Sequence, residues 1–326
     1  MQHIACLWRM ACLGAALAFS AFPALAQSYP DRPVRLIVPY AAGGGTDAIA
    51  RLVAQAVAEK LGQPMVIENN GTAGGNVASQ IASAAAPDGY TVLMANQGPM
   101  VVNPHLFKSL KLDPLQAFDP VTLITSAPLV LVVSAKSRFN DVAELLAYAK
   151  AHPGKLSYSS AGNGSASHLA VIMLAQVAGL DVAHVPYRGA SPALNDLISG
   201  QVDFMITTLP SVTGQIDGKI VRTLAVTSKT RVKRLPDVPT FVEKGFPNYE
   251  IGAWYGFVVP HGTPAPVVAT LRKATVDAIN SDAVRARFAT EGAEPIGSGP
   301  EEFTAMMRAE SKRWQDVLSR ARIELN

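Results

Sequence analysis

Short apolar runs alternate with amphipathic stretches of helical period along most of the chain. The run at residues 34–38 stops at Pro39 and predicts a buried parallel strand. The next stretch repeats its apolar residues on one helical face, with Thr46 as the predicted N-cap and Gly62 as the stop. The same patterns predict strands at 65–68, 90–95, 129–134, 156–159, 182–185, 202–206, 223–227 and 254–259, and helices at 76–86, 142–151, 165–178, 191–198, 266–280, 282–290 and 300–321.

Strands that alternate with crossover helices predict an α/β fold with mainly parallel sheets flanked by helices. The chain has 326 residues, too many for one such unit, so we expect two lobes. The predicted first lobe is discontinuous and holds residues 27–127 and 258–326, while the second holds residues 128–257. Strand-like connections near 125–130 and 255–260 then leave a hinged cleft between the lobes.

The amino terminus has the pattern of a cleavable secretory signal. Residues 1–26 contain one basic residue, Arg9, then an apolar run of roughly 10 residues and the small-residue pattern that ends at Ala26. A membrane anchor, the alternative, needs about 20 apolar residues. Cleavage after Ala26 removes both cysteines, Cys6 and Cys12, so disulfides and cysteine–metal sites are not expected. The mature product is predicted to be exported, to the periplasm in a bacterium, without a stable membrane anchor.

Composition narrows the function classes. Hydrophobic residues make up 49% of the chain and charged residues 16%, which argues against disorder. The 28 Lys and Arg against 25 Asp and Glu form no basic cluster, so nucleic-acid binding is not expected. The sequence lacks Gly-x-Ser-x-Gly, and its histidines lack metal-ligand spacing. We therefore predict no catalytic residue, no metal site and no cofactor.

A glycine-rich loop at residues 39–47 joins the first strand to the first helix. Three glycines let the backbone approach a ligand closely, and the start of a helix attracts an anion. The loop lacks the phosphate-binding lysine of GxxxxGK[ST], so a carboxylate suits it better than a triphosphate. An ordinary glycine-rich turn is the alternative. The candidate ligand-binding residues here are Tyr40, Ala42, Gly43, Gly44, Gly45, Thr46 and Asp47.

The second half repeats this design at residues 160–168. Its candidates are Ser160, Ala161, Gly162, Asn163, Ser165 and His168. Arg188 precedes a helix with Ser191 as its predicted N-cap, and its guanidinium could clamp a carboxylate or form a salt bridge. His168 could instead be a capping histidine. Asn96 and Thr207, which follow predicted strands, complete the candidate set. The aromatic pair 254–255 is interpreted as a cleft wall, a hinge or core.

Several segments together carry a family resemblance. They lie at residues 29–34, 39–47, 68–76, 86–91, 160–168, 185–189, 235–240 and 254–256. In order and spacing they resemble the Bug-type substrate-binding proteins of tripartite tricarboxylate transporters. The resemblance implies a type II-like periplasmic-binding-protein fold that closes on a small organic acid. It also implies that loops 40–47 and 160–168 hold the ligand, largely through backbone amides and ordered water.

The resemblance further implies delivery of the ligand to a two-component membrane permease, and we expect the protein to be a monomer. A receptor that signals to a membrane sensor kinase is one alternative, and a periplasmic enzyme acting on an organic acid is another. Many relatives carry an acidic residue where this chain has Thr207 and Thr208. A buried ammonium group needs an acceptor, so we expect a mono- or dicarboxylate without an amino group. Asp47 and Asp203 stay open as acceptors.

Overall fold

The computed structural model describes residues 29–321, so the predicted signal peptide lies outside the described residues. The strands within this range are β1 (Val34–Val38), β2 (Met65–Asn69), β3 (Thr91–Ala95), β4 (Phe118–Ser134), β5 (Ser157–Ser160), β6 (Ala183–Pro186), β7 (Phe204–Thr208), β8 (Val221–Val226), β9 (Gly252–Pro260) and β10 (Glu294–Pro295). The helices are α1 (Gly45–Leu61), α2 (Asn76–Ser83), α3 (Asn103–Leu106), α4 (Pro114–Ala117), α5 (Val142–Ala151), α6 (Ala166–Ala178), α7 (Ala190–Ser199), α8 (Leu209–Asp217), α9 (Ala265–Ile279), α10 (Asp282–Thr290) and α11 (Pro300–Ala321). A 3₁₀ turn (Thr72–Gly75) precedes α2, and a π-helical turn (Gly98–Val102) precedes α3.

Two predicted helix caps are wrong. Helix α1 begins at Gly45 after the N-cap Gly44, so Thr46 is already inside the helix. Helix α7 begins at Ala190 after the N-cap Gly189, which places Ser191 inside as well. Both N-cap glycines have extended backbone and make no side-chain cap bond. The first turns of these helices therefore keep backbone N–H groups that their own N-caps leave unsatisfied.

The first sheet has the strand order β2-β1-β3-β9-β4, and β10 pairs with β4 at its edge. Strand β1 runs parallel to β2 and β3, while β9 is antiparallel to both β3 and β4. The predicted alternation is present in the parallel part, since α1 and α2 follow β1 and β2. The antiparallel strands close the sheet on the other side.

The second sheet has the order β6-β5-β7-β4, and β8 also pairs with β4. Strand β5 is parallel to β6 and β7, whereas β4 is antiparallel to β7 and β8. Each sheet is thus mixed, with three parallel strands and further antiparallel ones. We call the first sheet with α1–α4 and α9–α11 the first lobe, and the second sheet with α5–α8 the second lobe.

Strand β4 connects the two sheets. Its residues up to Pro128 pair with β9, and from Leu129 it pairs with β7. The return connection lies beside this crossing, because the Thr227 hydroxyl donates to the Ile251 carbonyl at 2.6 Å and the Leu129 N–H donates to the same hydroxyl oxygen at 3.0 Å. Strand β9 pairs with the first sheet from Gly252 onward. The residue bounds predicted for the lobes stay a prediction.

Apolar side chains from the helices cover the sheets. Helix α1 buries Ile49, Val53 and Val57, and α11 buries Phe303 and Trp314. Each such side chain contributes about 1.5–3 kcal/mol when removed from water. None of the helices in residues 29–321 is long and apolar enough to cross a membrane. The loops at the carboxyl ends of the parallel strands lie outside this packing and form the site.

Candidate functional site

A small cavity lies where the two lobes meet, at the carboxyl ends of their parallel strands. Its volume is about 40 Å³, and one water molecule needs about 10–15 Å³. The first lobe contributes Tyr40, Gly44, Gly45, Thr46, Asn96, Gln97, Ala253 and Tyr255, and the second contributes Ala161, Ser165, Ala166, Ser167, Ala190, Thr207, Thr208 and Ser211. Among these described residues there is no acid, lysine, arginine or histidine, so the wall carries no charged side chain.

Four helices begin at this cavity. The lining includes the first residues of α1, α6 and α7 and the N-cap residue of α8, which are Gly45, Ala166, Ala190 and Thr208. Each helix is at least nine residues long and carries about half a positive charge at its start. Backbone N–H groups there lack partners within the helix. The cavity therefore favours an anion without any basic side chain.

The lobes touch closely around the cavity. The Ala41 N–H donates to the Arg188 carbonyl across the cleft at 3.1 Å, and the Gly45 N–H donates to Ser211 Oγ at 2.8 Å. A Cβ at Gly45 would lie 2.6 Å from Ser211 Oγ, and one at Gly71 would overlap the Arg188 carbonyl oxygen. Neither glycine has positive φ, so the approach of the opposite lobe, not the backbone conformation, requires glycine there.

Asp47 supports the first loop and is only 3% exposed. Its carboxylate accepts hydrogen bonds from the Gly43 N–H, Arg51 Nε and Asn69 Nδ2, each at 2.9 Å. Burial alone would raise the pKa of Asp47, but the hydrogen bonds from Arg51, Gly43 and Asn69 outweigh it and lower the pKa below its usual value. The side chain is therefore an ionised brace behind the loop and does not line the cavity.

Asp203 is also engaged elsewhere. It accepts hydrogen bonds from the Ser157 N–H at 2.8 Å and the Ser157 hydroxyl at 3.1 Å. Ser157 opens β5, and Asp203 immediately precedes β7. Both residues thus lie at the amino ends of parallel strands, whereas the cavity is at the carboxyl ends. Of the two acids kept open as ammonium acceptors, neither lines the cavity.

His168 faces the protein interior beneath the second loop. Its ring stacks on His184 with centroids 4.2 Å apart, and its Nδ1 accepts a hydrogen bond from the Gly164 N–H at 3.1 Å. Burial, and secondarily the neighbouring His184, lowers the pKa of His168 to about 3. Burial also lowers the pKa of His184 to about 4, and His184 Nε2 lies 2.7 Å from Ser160 Oγ. Both neutral rings therefore hold loop 160–165 from behind.

Arg188 lies outside the cavity, in an open groove of about 450 Å³ that Gly162 and Asn163 also line. Its side chain is exposed, while its carbonyl makes the contact with the first lobe. Ala42 and Gly43 are exposed in the first loop, and Ser160 is buried under the second. The predicted residues that line the cavity are Tyr40, Gly44, Gly45, Thr46, Asn96, Ala161, Ser165 and Thr207; those that do not are Ala42, Gly43, Asp47, Ser160, Gly162, Asn163, His168 and Arg188. Ligand contact by any of them stays a prediction.

The cavity also contains residues absent from the predicted set. Tyr255 is 1% exposed, and its hydroxyl makes no hydrogen bond of normal geometry among the described residues. Burial raises the pKa of Tyr255 to about 12, although the nearby Thr208 and Thr46 side chains lower it. Gln97 is held by β9, since its amide donates to the Gly252 carbonyl at 2.9 Å and accepts from the Trp254 N–H at 3.2 Å.

Ser167, Thr208 and Ser211 are the other hydroxyl residues of the cavity wall that the predicted set lacks. Ser167 Oγ accepts a hydrogen bond from the Ala161 N–H at 2.9 Å. Thr208 and Ser211 belong to the start of α8, a helix that the apolar pattern does not predict. A signal was present: Thr208 followed by Pro210 matches an N-cap residue and a proline in the first helical turn. The interpretation of residues 254–255 as a cleft wall fits Tyr255, whereas Trp254 packs edge-on against Phe303 at 5.6 Å.

Comparisons with known proteins agree with this architecture. The family model described as tripartite tricarboxylate transporter family receptor matches residues 49–323. The solved structure of periplasmic binding protein BugD is 36% identical, with a TM-score of 0.87, and the match covers 91% of this chain and 99% of that one.

Two further solved structures carry bound acids. R. palustris Rpa4515 with adipate is 34% identical, with a TM-score of 0.88 and coverage of 91% of this chain and 99% of that one. MatC (Rpa3494) from Rhodopseudomonas palustris with bound malate is 35% identical, with a TM-score of 0.85 and coverage of 89% and 100%. With the matching family model, the α/β fold and the cleft, these similarities show that the chain belongs to the tripartite tricarboxylate transporter receptor family, as a Bug-type solute-binding protein.

Proposed function

We propose that this protein captures a small carboxylate without an amino group in the cavity between its lobes and delivers it to a tripartite-type membrane permease. The observation that carries the proposal is the set of four helix N-termini around a wall without charged side chains. Such a wall favours an anion through backbone N–H groups and hydroxyls. The acids bound by Rpa4515 and MatC, adipate and malate, support a carboxylate.

We propose a ligand without an amino group because the described cavity wall offers no carboxylate to accept hydrogen bonds from an ammonium group. Burying an ammonium group without a partner is costly, and the carboxylates of Asp47 and Asp203 are both engaged outside the cavity. Thr207 and Thr208 offer only neutral oxygens to the cavity. A ligand with carboxylates alone therefore fits these partners better than an amino acid.

Capture depends on closure of the lobes about the two adjacent crossings at Pro128–Leu129 and Ile251–Gly252. We propose that the closed form is the species presented to the permease and that the receptor performs no chemistry on its ligand. The cavity wall supports this, because within residues 29–321 it contains no histidine, acid or lysine to act as a general base.

A thermal-shift screen tests this proposal. Protein from the periplasmic fraction, expected to start at Gln27 after cleavage, is unfolded and refolded to remove retained ligand. It is then screened with malate, succinate, adipate, aspartate, glutamate and glucose. A carboxylate at 100 times its Kd contributes about 2.7 kcal/mol of stability, or a rise in Tm of about 4 °C for a chain of about 300 residues.

Matched glycine variants locate the site. In Gly45→Ala the new methyl would meet Thr208 and Ser211, so we expect affinity to fall at least tenfold. Gly214→Ala is the control, because nothing lies within 4 Å of a Cβ there. Equal stabilisation by aspartate and succinate would contradict the exclusion of amino groups. No response to any acid, or equal binding by both variants, would refute the proposed site.

A further inference from the structure

Helix α8 belongs to the second lobe, and two of its hydroxyl residues form hydrogen bonds with the first lobe. At the cavity, Ser211 Oγ accepts the hydrogen bond from the Gly45 N–H at 2.8 Å. Half a turn farther along, the Thr213 hydroxyl donates to Glu291 Oε2 at 2.9 Å. Each bond uses one hydroxyl of α8, which accepts the hydrogen bond at Ser211 and donates it at Thr213.

The Ser211 contact supplies the capping hydrogen bond that the N-cap residue of α1 cannot make. An N-cap serine or threonine normally accepts a hydrogen bond from a first-turn N–H group. The N-cap of α1 is Gly44, which has no side chain and makes no cap bond. Ser211 therefore caps α1 from the opposite lobe. Thr208 Oγ1 lies 2.6 Å from Ser211 Oγ and fixes that hydroxyl in place.

The Thr213 contact joins α8 to Glu291, the residue that follows α10. Glu291 is followed by Gly292, and a Cβ at Gly292 would lie 3.7 Å from Pro128, where β4 leaves the first sheet. Glu291 is only 7% exposed and also pairs with Arg287 at 3.3 Å. The Thr213 hydroxyl has one proton and also lies 2.8 Å from the Leu209 carbonyl oxygen within α8. It can therefore donate within its own helix when the lobes separate, whereas the Gly45 N–H then loses the Ser211 acceptor.

We infer that Ser211 is a positioning residue for ligand capture: by capping α1 from the opposite lobe, it holds the cleft closed over a bound carboxylate and slows its release. The inference rests on the proposed function. Because the cap forms only when the lobes meet, its loss acts on the open–closed equilibrium. One hydrogen bond of this kind corresponds to a change of about three- to tenfold.

The experiment compares Ser211→Ala with Ser211→Thr, which restores a hydroxyl, and with Thr213→Val, which removes the hydroxyl that contacts Glu291. Spin labels on introduced cysteines, at Gln55 in α1 and Asn195 in α7, report the distance between lobes. The background is free of cysteine after the predicted cleavage site. Association and dissociation rates are measured with malate and adipate as probes.

We expect Ser211→Ala to shift the distance distribution toward the open form and to raise the dissociation rate about three- to tenfold with little change in association rate. Ser211→Thr should restore both, and Thr213→Val should leave both unchanged. An unchanged distance distribution in Ser211→Ala, or an equal shift in Thr213→Val, would overturn the inference. If no carboxylate of the thermal-shift screen binds the unmodified protein, the proposed function fails, while the distance measurement still decides the role of Ser211.

Discussion

The two glycine-rich loops present helix N-termini to the same cavity, yet different chemistry holds them in place. Loop 40–47 is supported by an ionised carboxylate, since Asp47 accepts from Gly43, Arg51 and Asn69. Loop 160–168 is supported by neutral groups. Ser165 Oγ donates to the Gly162 carbonyl at 2.6 Å, and His168 Nδ1 accepts from the Gly164 N–H. Two loops with similar sequence patterns are thus supported by different hydrogen-bond partners.

In each loop the supporting hydrogen bonds hold backbone groups in place: the Gly43 N–H in the first loop, and the Gly164 N–H and the Gly162 carbonyl in the second. Asp47 in the first loop and His168 in the second both lie behind the backbone and outside the cavity wall. The charge state that each loop requires is opposite: Asp47 must be ionised, and the histidines behind the second loop must be neutral. The two loops should therefore respond to pH in separate windows.

The largest effect that we expect concerns the histidine pair. Their folded pKa values of about 3 and about 4 lie below the unfolded value of about 6.5. Below pH 6.5 the unfolded chain binds more protons, so the free energy of unfolding falls as pH falls, by up to about 1.4 kcal/mol per pH unit per histidine. At pH 5 the loss is about 3–4 kcal/mol relative to pH 7. Urea titrations between pH 7 and 4 measure it.

His168→Asn is the informative variant. The side-chain carbonyl of asparagine can accept the hydrogen bond from the Gly164 N–H, and asparagine does not titrate between pH 7 and 4. The substitution should reduce the slope of stability against pH by about half. Asp47 has a lowered pKa, so its contribution is present above the unfolded value near 4 and is lost only below it. If the free energy of unfolding changes with pH between 6.5 and 5 as steeply in His168→Asn as in the unmodified protein, the assignment of this pH dependence to His168 is wrong.

A smaller effect is expected from Asp47→Ala. The substitution leaves the Gly43 N–H and Asn69 Nδ2 without their carboxylate partner, and hydrogen bonds to charged groups contribute about 1.5–3 kcal/mol. We expect the free energy of unfolding to fall by about 2–3 kcal/mol at pH 7, with weaker ligand binding because the loop loses its brace. Asp47→Asn should recover part of the stability. Equal stability of Asp47→Ala and the unmodified protein would show that the first loop does not depend on this carboxylate.

The smallest effect concerns Tyr255, whose hydroxyl lies between the loops. Since that hydroxyl has no hydrogen bond of normal geometry among the described residues, Tyr255→Phe should change stability by less than about 1 kcal/mol. If a bound acid uses the hydroxyl, its affinity should fall about three- to tenfold. Calorimetric titration with malate and adipate measures this change. A clear loss of stability without loss of affinity would assign the hydroxyl to packing instead.

Local sequence patterns determined most of the elements. The strand at Val34–Val38 and the helices at Val142–Ala151, Asp282–Thr290 and Pro300–Ala321 agree with their predicted bounds, because periodicity and stop residues act within a few positions. The cap predictions at Thr46 and Ser191 failed because glycines that lack a capping side chain precede them. The apolar pattern also did not predict the first half of β4, because its pairing with β9 joins residues more than 120 positions apart.

For the candidate site, too, some features followed from the sequence and others only from the tertiary structure. By itself the sequence determined the two glycine-rich helix starts and the family, since each is carried by segments that are only a few residues long. Only the tertiary structure decided that His168 faces inward, that Arg188 lies in the outer groove and that Ser211 reaches Gly45. The physical reason is that these contacts depend on how two sheets share β4 and bring distant helices together, and no local pattern encodes that packing.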